Sequence, residues 1–236
     1  MKIFALSDPH LSSVVSKPMD IFGAHWEDHA AQLCAHWDRV VGDDDLVLVP
    51  GDISWAIKLV DAMPDLEMLD ARPGHKLFTK GNHDYWWPNK KRDITFPELK
   101  RSRFLHGRTV RFGKVGIAAT RAWVMPGDEW FTPEDQKIYD KELRFLEEAL
   151  QALGDAEVRL CMLHYPPFNS RRQPGAFVEL LQKYAVQQVI HGHLHGEGCE
   201  RYTVLGPHEG ITYHMASCDF IHFCPVEILS VAETYP

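Results

Sequence analysis

In Leu-Val-Leu-Val-Pro-Gly-Asp, residues 46–52, four apolar residues are followed directly by a turn and a carboxylate. A short, wholly apolar run that ends at turn residues is typical of a strand buried on both faces of a parallel sheet. Residues 2–10 and 76–84 have the same arrangement, and helical patterns separate the three segments. Strand, turn and helix in repeated succession predict βαβ units and a parallel sheet.

The alternation continues through the rest of the chain. Apolar spacing predicts helices at about 26–41, near 57–70 with a break or cap at Pro64, over 133–153 and near 177–184. A hairpin is expected over 110–124, buried strands at 158–163 and 188–190, and antiparallel β-structure near 201–205, 211–216 and 222–230. Thr132 followed by proline and two acids is a helix start. One α/β domain over residues 1–236 is the simplest interpretation.

The composition is that of an ordinary globular domain, since 45% of the 236 residues are apolar and 25% are charged. It excludes collagen-like, coiled-coil and disordered chains. No apolar run approaches the roughly 20 residues of a membrane-spanning helix, and the first residues do not resemble a signal peptide. Five cysteines without a C-x-x-C pair argue against a disulfide framework and a cysteine zinc site. We therefore expect a cytoplasmic protein that makes no membrane contact.

Side chains that can bind metal ions follow five of the predicted strands. They are Asp8 and His10; Asp52; Asn82 and His83; His164; and His193 and His195. In open α/β sheets, ligands bind beyond the carboxyl ends of the strands, so these groups are expected to meet. Oxygen and nitrogen ligands without cysteine suit Mn, Fe, Zn, Co or Ni better than Ca or Mg. Eight groups exceed the needs of one ion, and two ions about 3.5–4 Å apart, bridged by a carboxylate, would use them.

Five motifs in this order resemble the signatures of the calcineurin-like metallophosphoesterase superfamily. They are Ser7-Asp8-Pro-His10, Gly51-Asp52, Gly81-Asn82-His83-Asp84, His164-Tyr-Pro-Pro and Gly192-His193-Leu-His195. The resemblance covers residues 7–195 and is closer to the bacterial phosphodiesterase-like branch than to the Ser/Thr protein phosphatases. It implies a four-layer α/β/β/α sandwich with two mixed sheets flanked by helices. It also implies two divalent transition-metal ions, with Mn or Fe favoured over Zn, Ni or Co.

The resemblance also implies a role for each matching position. Asp8, His10, Asp52 and His195 would hold the first ion, and Asp52 would bridge to a second ion completed by Asn82, His164 and His193. His83 would face the phosphate and protonate the leaving oxygen or stabilise its charge, and Asp84 would orient His83. The implied reaction is hydrolysis of a small phosphorylated substrate by in-line attack of a metal-bridging hydroxide. That substrate is a phosphodiester, such as a cyclic nucleotide, or a phosphomonoester.

Substrate contacts are suggested by residues next to these motifs. Tyr85 and Trp86 stand beside a basic run at 90–92, where aromatic rings and cations could bind a base and its phosphates. Arg171 and Arg172 follow the His164 motif and could bind phosphate oxygens. For each, the alternative is ordinary packing or a solvated surface. The loops 11–24 and 123–131 could cover the site or be passive connections. Position 55 is tryptophan, where many members of the superfamily have an acid.

Two other functions remain open at this point. A nuclease is the first, although a net charge of −8 disfavours a protein that grips many phosphates. The second is a non-catalytic module that keeps the fold and binds a partner. Such a module is expected to lose ligands or the phosphate-facing histidine, whereas all those positions are intact here. The oligomeric state is left open by the sequence.

Overall fold

The computed structural model describes residues 1–88 and 93–236, in which strands and helices alternate. The described α-helices are α1 (His29–Val40), α2 (Leu59–Asp70), α3 (Pro133–Gln151) and α4 (Ala176–Lys183). Strands β1 to β12 span Lys2–Ala5, Leu46–Val49, His75–Thr79, Asp93–Ile94, Ser102–Leu105, Arg108–Phe112, Val115–Thr120, Val158–Leu163, Gln188–His191, Gly206–His208, Ile211–Met215 and Val226–Ser230. Short 3-10 helices cover Asp20–Phe22, Ala24–Trp26 and Cys199–Tyr202.

The strands form two six-stranded sheets of similar design. The order is β12-β1-β2-β3-β5-β4 in the first sheet and β10-β11-β9-β8-β7-β6 in the second. In each sheet the four central strands run parallel, and the strand at either edge pairs antiparallel. Both sheets are therefore mixed. Together with the flanking helices they confirm the predicted α/β class.

Successive side chains of a strand point to opposite faces of the sheet, so alternate residues pack in different apolar layers. Ile3 and Ala5 of β1 pack between the sheets with Leu160 of β8. Phe4 points the other way, into a cluster with Trp37 of α1. The same alternation in β8 places Leu160 between the sheets and the next residue against the helices α3 and α4. The result is a helix, sheet, sheet, helix order of layers.

The break or cap predicted at Pro64 is not observed, because α2 continues through that residue. Proline inside a helix costs about 3 kcal/mol. Full burial of Ala62, Leu66 and Leu69 against the first sheet offsets this cost, since each buried leucine contributes about 1.5–3 kcal/mol.

Helix α3 begins as expected. The hydroxyl of Thr132 accepts a hydrogen bond from the Asp135 backbone N–H, and the Asp135 carboxylate accepts one from the Thr132 N–H, which completes a capping box.

The C-terminal segment corrects a second prediction. The segment was expected to be antiparallel throughout. Its strands β10 and β12 do pair antiparallel with β11 and β1, but β11 pairs parallel with β9. The segment near 201–205 begins as a 3-10 helix rather than a strand. A parallel β11 brings its carboxyl end to the same edge of the sheet as the carboxyl end of β9. Within the described residues, no helix is both long enough and apolar enough to cross a membrane.

Candidate metal centre

The loops after β1, β2, β3, β8 and β9 meet at one edge of the two sheets and carry all the predicted ligands. Backbone hydrogen bonds join these loops directly. The N–H of Asp8 donates to the Gly51 carbonyl at 3.0 Å, and the N–H of His10 donates to the Asp52 carbonyl at 3.0 Å. Across the two sheets, the backbone N–H of His193 donates to both carboxylate oxygens of Asp8, at 3.1 and 3.0 Å. The loops are thus held together by contacts that do not use the imidazole rings.

The backbone is strained at the residues that carry these side chains. Asp8, His10, Asp52 and His193 have φ values of 57°, 46°, 50° and 71°, in the left-handed region that non-glycine residues rarely adopt. Such conformations cost free energy and persist where the surrounding structure enforces them, as at binding and catalytic sites. Here the strain turns four donor side chains toward one small volume.

Three donor atoms form a first group at the ends of β1 and β9. His10 Nε2 lies 3.3 Å from His195 Nε2, which lies 3.4 Å from Asp8 Oδ1. Asp8, His10 and His195 each offer one ligand atom, and these three atoms lie within 4.8 Å of one another. Asp52 Oδ2 is 3.8 Å from His10 Nε2, so the carboxylate proposed as a bridge borders this group.

A second group lies at the ends of β2, β3 and β8. His164 Nε2 is 2.7 Å from Asn82 Oδ1 and 3.5 Å from Asp52 Oδ2. Asp8, Asp52 and His164 again offer ligand atoms within 4.8 Å of one another. The His193 ring lies beside the group, with its centroid 5.1 Å from that of His164. The structure therefore brings all seven predicted ligands together, with Asp8 and Asp52 between the two groups.

The arrangement of protons in the second group fits a cation. His164 Nδ1 lies 2.9 Å from the Pro50 carbonyl, which can only accept, so Nδ1 carries the proton and Nε2 presents its lone pair. That lone pair faces the oxygens of Asn82 and Asp52, so three acceptors converge. A divalent transition-metal ion, which accepts such oxygen and nitrogen donors, satisfies all three.

Two glycines leave the room that the carboxylates occupy. A Cβ at Gly81 would collide with the Asp52 carboxylate, and a Cβ at Gly192 would collide with Asp8 Oδ2. Each glycine directly precedes a predicted ligand in the sequence, Asn82 and His193. The glycines of these motifs thus let the backbone pass close to the charged groups.

Burial and mutual charge govern the ionisation of the cluster. Burial, reinforced by the charges of Asp8 and Asp84, raises the pKa of Asp52 well above its usual value. Burial lowers the pKa of His10 to about 3 and also lowers the pKa of His164 and His193. A cation placed between two buried carboxylates would relieve their repulsion. Two divalent ions are therefore electrostatically compatible with this donor set.

Sequence reasoning missed Asp219, which orients His195. Burial alone would lower the pKa of His195, but hydrogen bonds to Asp219 and Asp8 raise it to about 10. His195 Nδ1 donates to Asp219 Oδ1 at 2.8 Å, and the Gly196 N–H donates to Asp219 Oδ2 at 2.9 Å. A carboxylate on the far nitrogen fixes the ring and directs Nε2 to the metal side. A parallel β11 would have been the signal, because Asp219 follows its carboxyl end.

Asp84 was predicted to orient the His83 ring, but its carboxylate has other partners. Its carboxylate instead accepts hydrogen bonds from the backbone N–H groups of Gly81, Ile53 and Ser54 and from the indole of Trp86. It is fully buried and ties the loop after β2 to the loop after β3. The His83 backbone N–H is held by Asp52 Oδ1 at 2.8 Å. Asp84 therefore acts by shaping the loops that present Asp52 and Asn82.

The aromatic residues after His83 take different places. Trp86 is 3% exposed and packs in the core with Phe104, so its predicted substrate contact is wrong and its alternative of ordinary packing is observed. Tyr85 is exposed, with its ring edge-on to His83 at 6.2 Å between centroids. Tyr85 is thus free to contact a ligand, and the basic run at 90–92 lies outside the described residues.

The two arginines predicted to bind phosphate lie on an exposed loop. The Arg171 guanidinium donates to the Gly127 carbonyl at 3.0 Å, and neither Arg171 nor Arg172 lines the cavities beside the metal groups. Arg171 therefore joins the loop 123–131 to the loop after His164, which is a structural role.

Two cavities adjoin the cluster, one beside His10 and His195 and the other beside His193. The first, about 230 Å³, is lined by His10, Met19, Phe22, Trp26, Trp55, His83, His195 and Gly196, and we call it the Trp55 pocket. The second, about 120 Å³, lies beside His193 and is lined mainly by Trp123, Trp130, Tyr165 and Phe168; we call it the Trp130 pocket. The loops 11–24 and 123–131 each supply part of one wall.

A phage protein matches a short part of this chain. The Gene 66 protein of Mycobacterium phage L5 is 43% identical over 58 residues, which are 25% of this chain and 28% of that protein. The matched segment is thus much less than two thirds of the phage protein.

Two solved structures share the fold over nearly their whole length. A protein of unknown function from Aquifex aeolicus is 16% identical, with a TM-score of 0.51 over 96% of this chain and 95% of its own. The phosphopantetheinyl hydrolase PptH from Mycobacterium tuberculosis is 14% identical, with a TM-score of 0.56 over 98% of this chain and 96% of its own. At these identities the likeness shows the fold alone.

A family model gives the assignment. The model of the calcineurin-like phosphoesterases matches residues 1–197, which contain every predicted metal ligand and His83. With the strand-end motifs brought to one cluster of candidate metal ligands on a two-sheet sandwich, this protein belongs to the calcineurin-like phosphoesterase family.

Proposed function

We propose that the protein is a dinuclear metal-dependent hydrolase that cleaves small phosphodiesters. The observation that carries the proposal is the convergence of two carboxylates, one amide and four imidazoles from five loops into two adjoining groups. The first ion is assigned to Asp8, His10, Asp52 and His195, and the second to Asp52, Asn82, His164 and His193. The name of the Mycobacterium tuberculosis neighbour, a hydrolase, agrees with this chemistry.

The preference for a diester is supported by the two cavities. A diester carries two ester groups, and two pockets are present. The Trp55 pocket adjoins His10 and His195 of the first metal group, and the Trp130 pocket adjoins His193 of the second. Their volumes, about 230 and 120 Å³, are below the roughly 300–1,000 Å³ of pockets that enclose drug-sized ligands. Small ester groups fit such pockets better than a nucleic acid duplex does.

When bound, the two ions supply Lewis acidity, which neutralises phosphate charge and makes a water molecule acidic enough to react near neutral pH. The remaining work falls to the protein side chains. Asp219 and the Pro50 carbonyl orient the rings of His195 and His164, and Asp84 holds the loops that present Asp52 and Asn82. This second layer keeps the donors in place before the substrate arrives.

His83 is assigned to the leaving oxygen. Its backbone is held by Asp52, and its ring lines the Trp55 pocket next to His10. Burial lowers the pKa of His83, yet even a neutral imidazole retains one N–H that can donate to an oxygen that is gaining negative charge. Overall, water supplies the new oxygen on phosphorus, the bond to the leaving oxygen breaks, and one proton ends on the released alcohol.

The test is hydrolysis of bis(4-nitrophenyl) phosphate and 4-nitrophenyl phosphate by chelated protein reloaded with Mn²⁺, Fe²⁺, Zn²⁺, Ni²⁺ or Co²⁺. We expect release of nitrophenol from the diester with at least one metal, and less from the monoester. His10→Ala and His164→Ala should abolish it, while His208→Ala, at an exposed position outside the cluster, should not. Bound metal without turnover of either ester would support the non-catalytic alternative instead.

A further inference from the structure

The Trp55 pocket is apolar on its walls and carries imidazoles on its floor. Met19 and Trp26 are buried, Phe22 is 61% exposed at the mouth, and Trp55 is partly buried. Among the described residues that line this pocket there is no aspartate, glutamate, lysine or arginine. Lys17 lies just outside this lining, with its Nζ 5.5 Å from the centre of the Trp55 ring. The lining itself carries no formal charge, apart from any on the histidines. The lining therefore selects uncharged, apolar groups.

Trp55 is held rigidly against the catalytic side of this pocket. Its ring stacks on His10 with centroids 4.8 Å apart and planes at 19°, and it lies 4.4 Å from the His83 ring. Its backbone N–H donates to the Leu11 carbonyl at 2.9 Å, which fixes the loop. The indole N–H is directed at Met19 Sδ, 3.2 Å away, so it is occupied by a weak acceptor within the protein. What the indole offers to a ligand is its apolar surface.

The position of His83 determines how a diester substrate would be oriented between the two pockets. This histidine lines the Trp55 pocket and is absent from the residues that line the Trp130 pocket. If His83 donates to the leaving oxygen, the group attached to that oxygen must lie beside it, in the Trp55 pocket. The ester group that stays on phosphorus would then lie on the His193 side.

We propose that the Trp55 pocket binds the leaving group of the substrate and that this group is an uncharged aromatic or similarly flat, apolar alcohol. This inference rests on the proposed hydrolase function and deepens it. It predicts which of the two ester bonds of a mixed diester is cleaved. Apolar enclosure also explains how the leaving oxygen would meet the His83 N–H without competition from water.

The probe is benzyl methyl phosphate, whose two alcohols have nearly equal intrinsic leaving ability. Release of benzyl alcohol and methanol is measured for the metal-loaded protein in ¹⁸O-labelled water, which confirms cleavage at phosphorus. We expect benzyl alcohol to exceed methanol about tenfold or more, because the Trp55 pocket (about 230 Å³) can bury the ring, whereas the Trp130 pocket is smaller (about 120 Å³) and is lined in part by Asp128. The product ratio comes from one substrate, so partial metal loading or partial unfolding does not change it.

The variants are Trp55→Ala and Phe22→Ala, with Val60→Ala, at a 72% exposed position of α2 outside both pockets, as the control. Phe22 is largely exposed, so its variant keeps the test valid if Trp55→Ala fails to fold. We expect both pocket variants to lower the ratio at least about threefold toward parity, and the control to leave it unchanged. Preferential methanol release, or a ratio that neither pocket variant lowers, would overturn the inference. No cleavage of any phosphate ester would instead refute the proposed function and the inference with it.

Discussion

Replacing Asp219 by asparagine tests the hydrogen bond that orients His195, while His195 itself is left in place. The Asp219 side chain is 5% exposed, accepts from His195 Nδ1 at 2.8 Å and also accepts from the Gly196 N–H. An amide has nearly the same shape, but it loses the negative charge and turns an N–H₂ group toward one of these two donors. His195 should then be a weaker and less ordered ligand.

The magnitude follows from the kind of contact. Loss of a carboxylate that supports a metal-bound histidine typically lowers metal affinity 10- to 100-fold, about 1.4–2.8 kcal/mol. We expect a loss of this size for the ion held by His195. The assay is competition for Mn²⁺ or Zn²⁺ against a chelating dye, with each protein first freed of metal.

The matched control is Asp70→Asn. Asp70 also accepts backbone hydrogen bonds, from Lys100 at 3.0 Å and Arg101 at 2.9 Å, but it is the last residue of α2 and belongs to none of the ligand loops. Its variant should bind metal as the unaltered protein does. An affinity of Asp219→Asn within about twofold of the unaltered protein, or an equal loss in the control, would refute the role assigned to Asp219.

Three further substitutions test other parts of the account. His83→Ala should lower kcat for the diester roughly 10²- to 10⁴-fold with unchanged metal content by elemental analysis; retained activity would remove His83 from the mechanism. Gly192→Ala should lose bound metal because its Cβ collides with the Asp8 carboxylate, and full metal occupancy would contradict this. Burial opposes ionisation of Glu142, but His106 and other partners hold its pKa at about 2, below the roughly 4.3 of an unfolded chain. This carboxylate therefore stabilises the fold above about pH 4.3, by roughly 3 kcal/mol, and the contribution is lost as the pH falls toward 2. In urea unfolding of metal-free protein, Glu142→Gln should be less stable at pH 7 and lose less stability between pH 5 and 3; parallel pH profiles would refute it.

The fold and the metal cluster were predictable because both depend on the same short segments. Apolar runs such as 46–49 can be satisfied only inside a sheet, and parallel strands bring their carboxyl ends to one edge. Asp8, Asp52 and Asn82 stand directly after such runs, so their proximity follows from the strand pattern. His193 and His195 are two residues apart after a strand, so in an extended segment their side chains lie on the same side and at the same edge.

What could not be predicted depends on tertiary pairing. Asp219 follows β11, and nothing in its local sequence shows that β11 pairs parallel with β9. The partners of Asp84 are backbone groups of two loops, which become neighbours only once β2 and β3 lie side by side. Trp86 is aromatic beside a phosphate-site motif, but the indole is drawn into the core, where Asp84 satisfies its N–H. Short-range pattern carries no information about these contacts.

Whether the protein works with two metal ions can be measured by titrating metal-free protein with Mn²⁺ while hydrolysis of bis(4-nitrophenyl) phosphate is followed. If Asp52 joins two ions in one reacting centre, the rate should stay low through the first equivalent per chain. It should then rise and reach a plateau at two equivalents. Full activity at one equivalent would contradict the dinuclear centre, and no activity with two ions bound would contradict the hydrolase function.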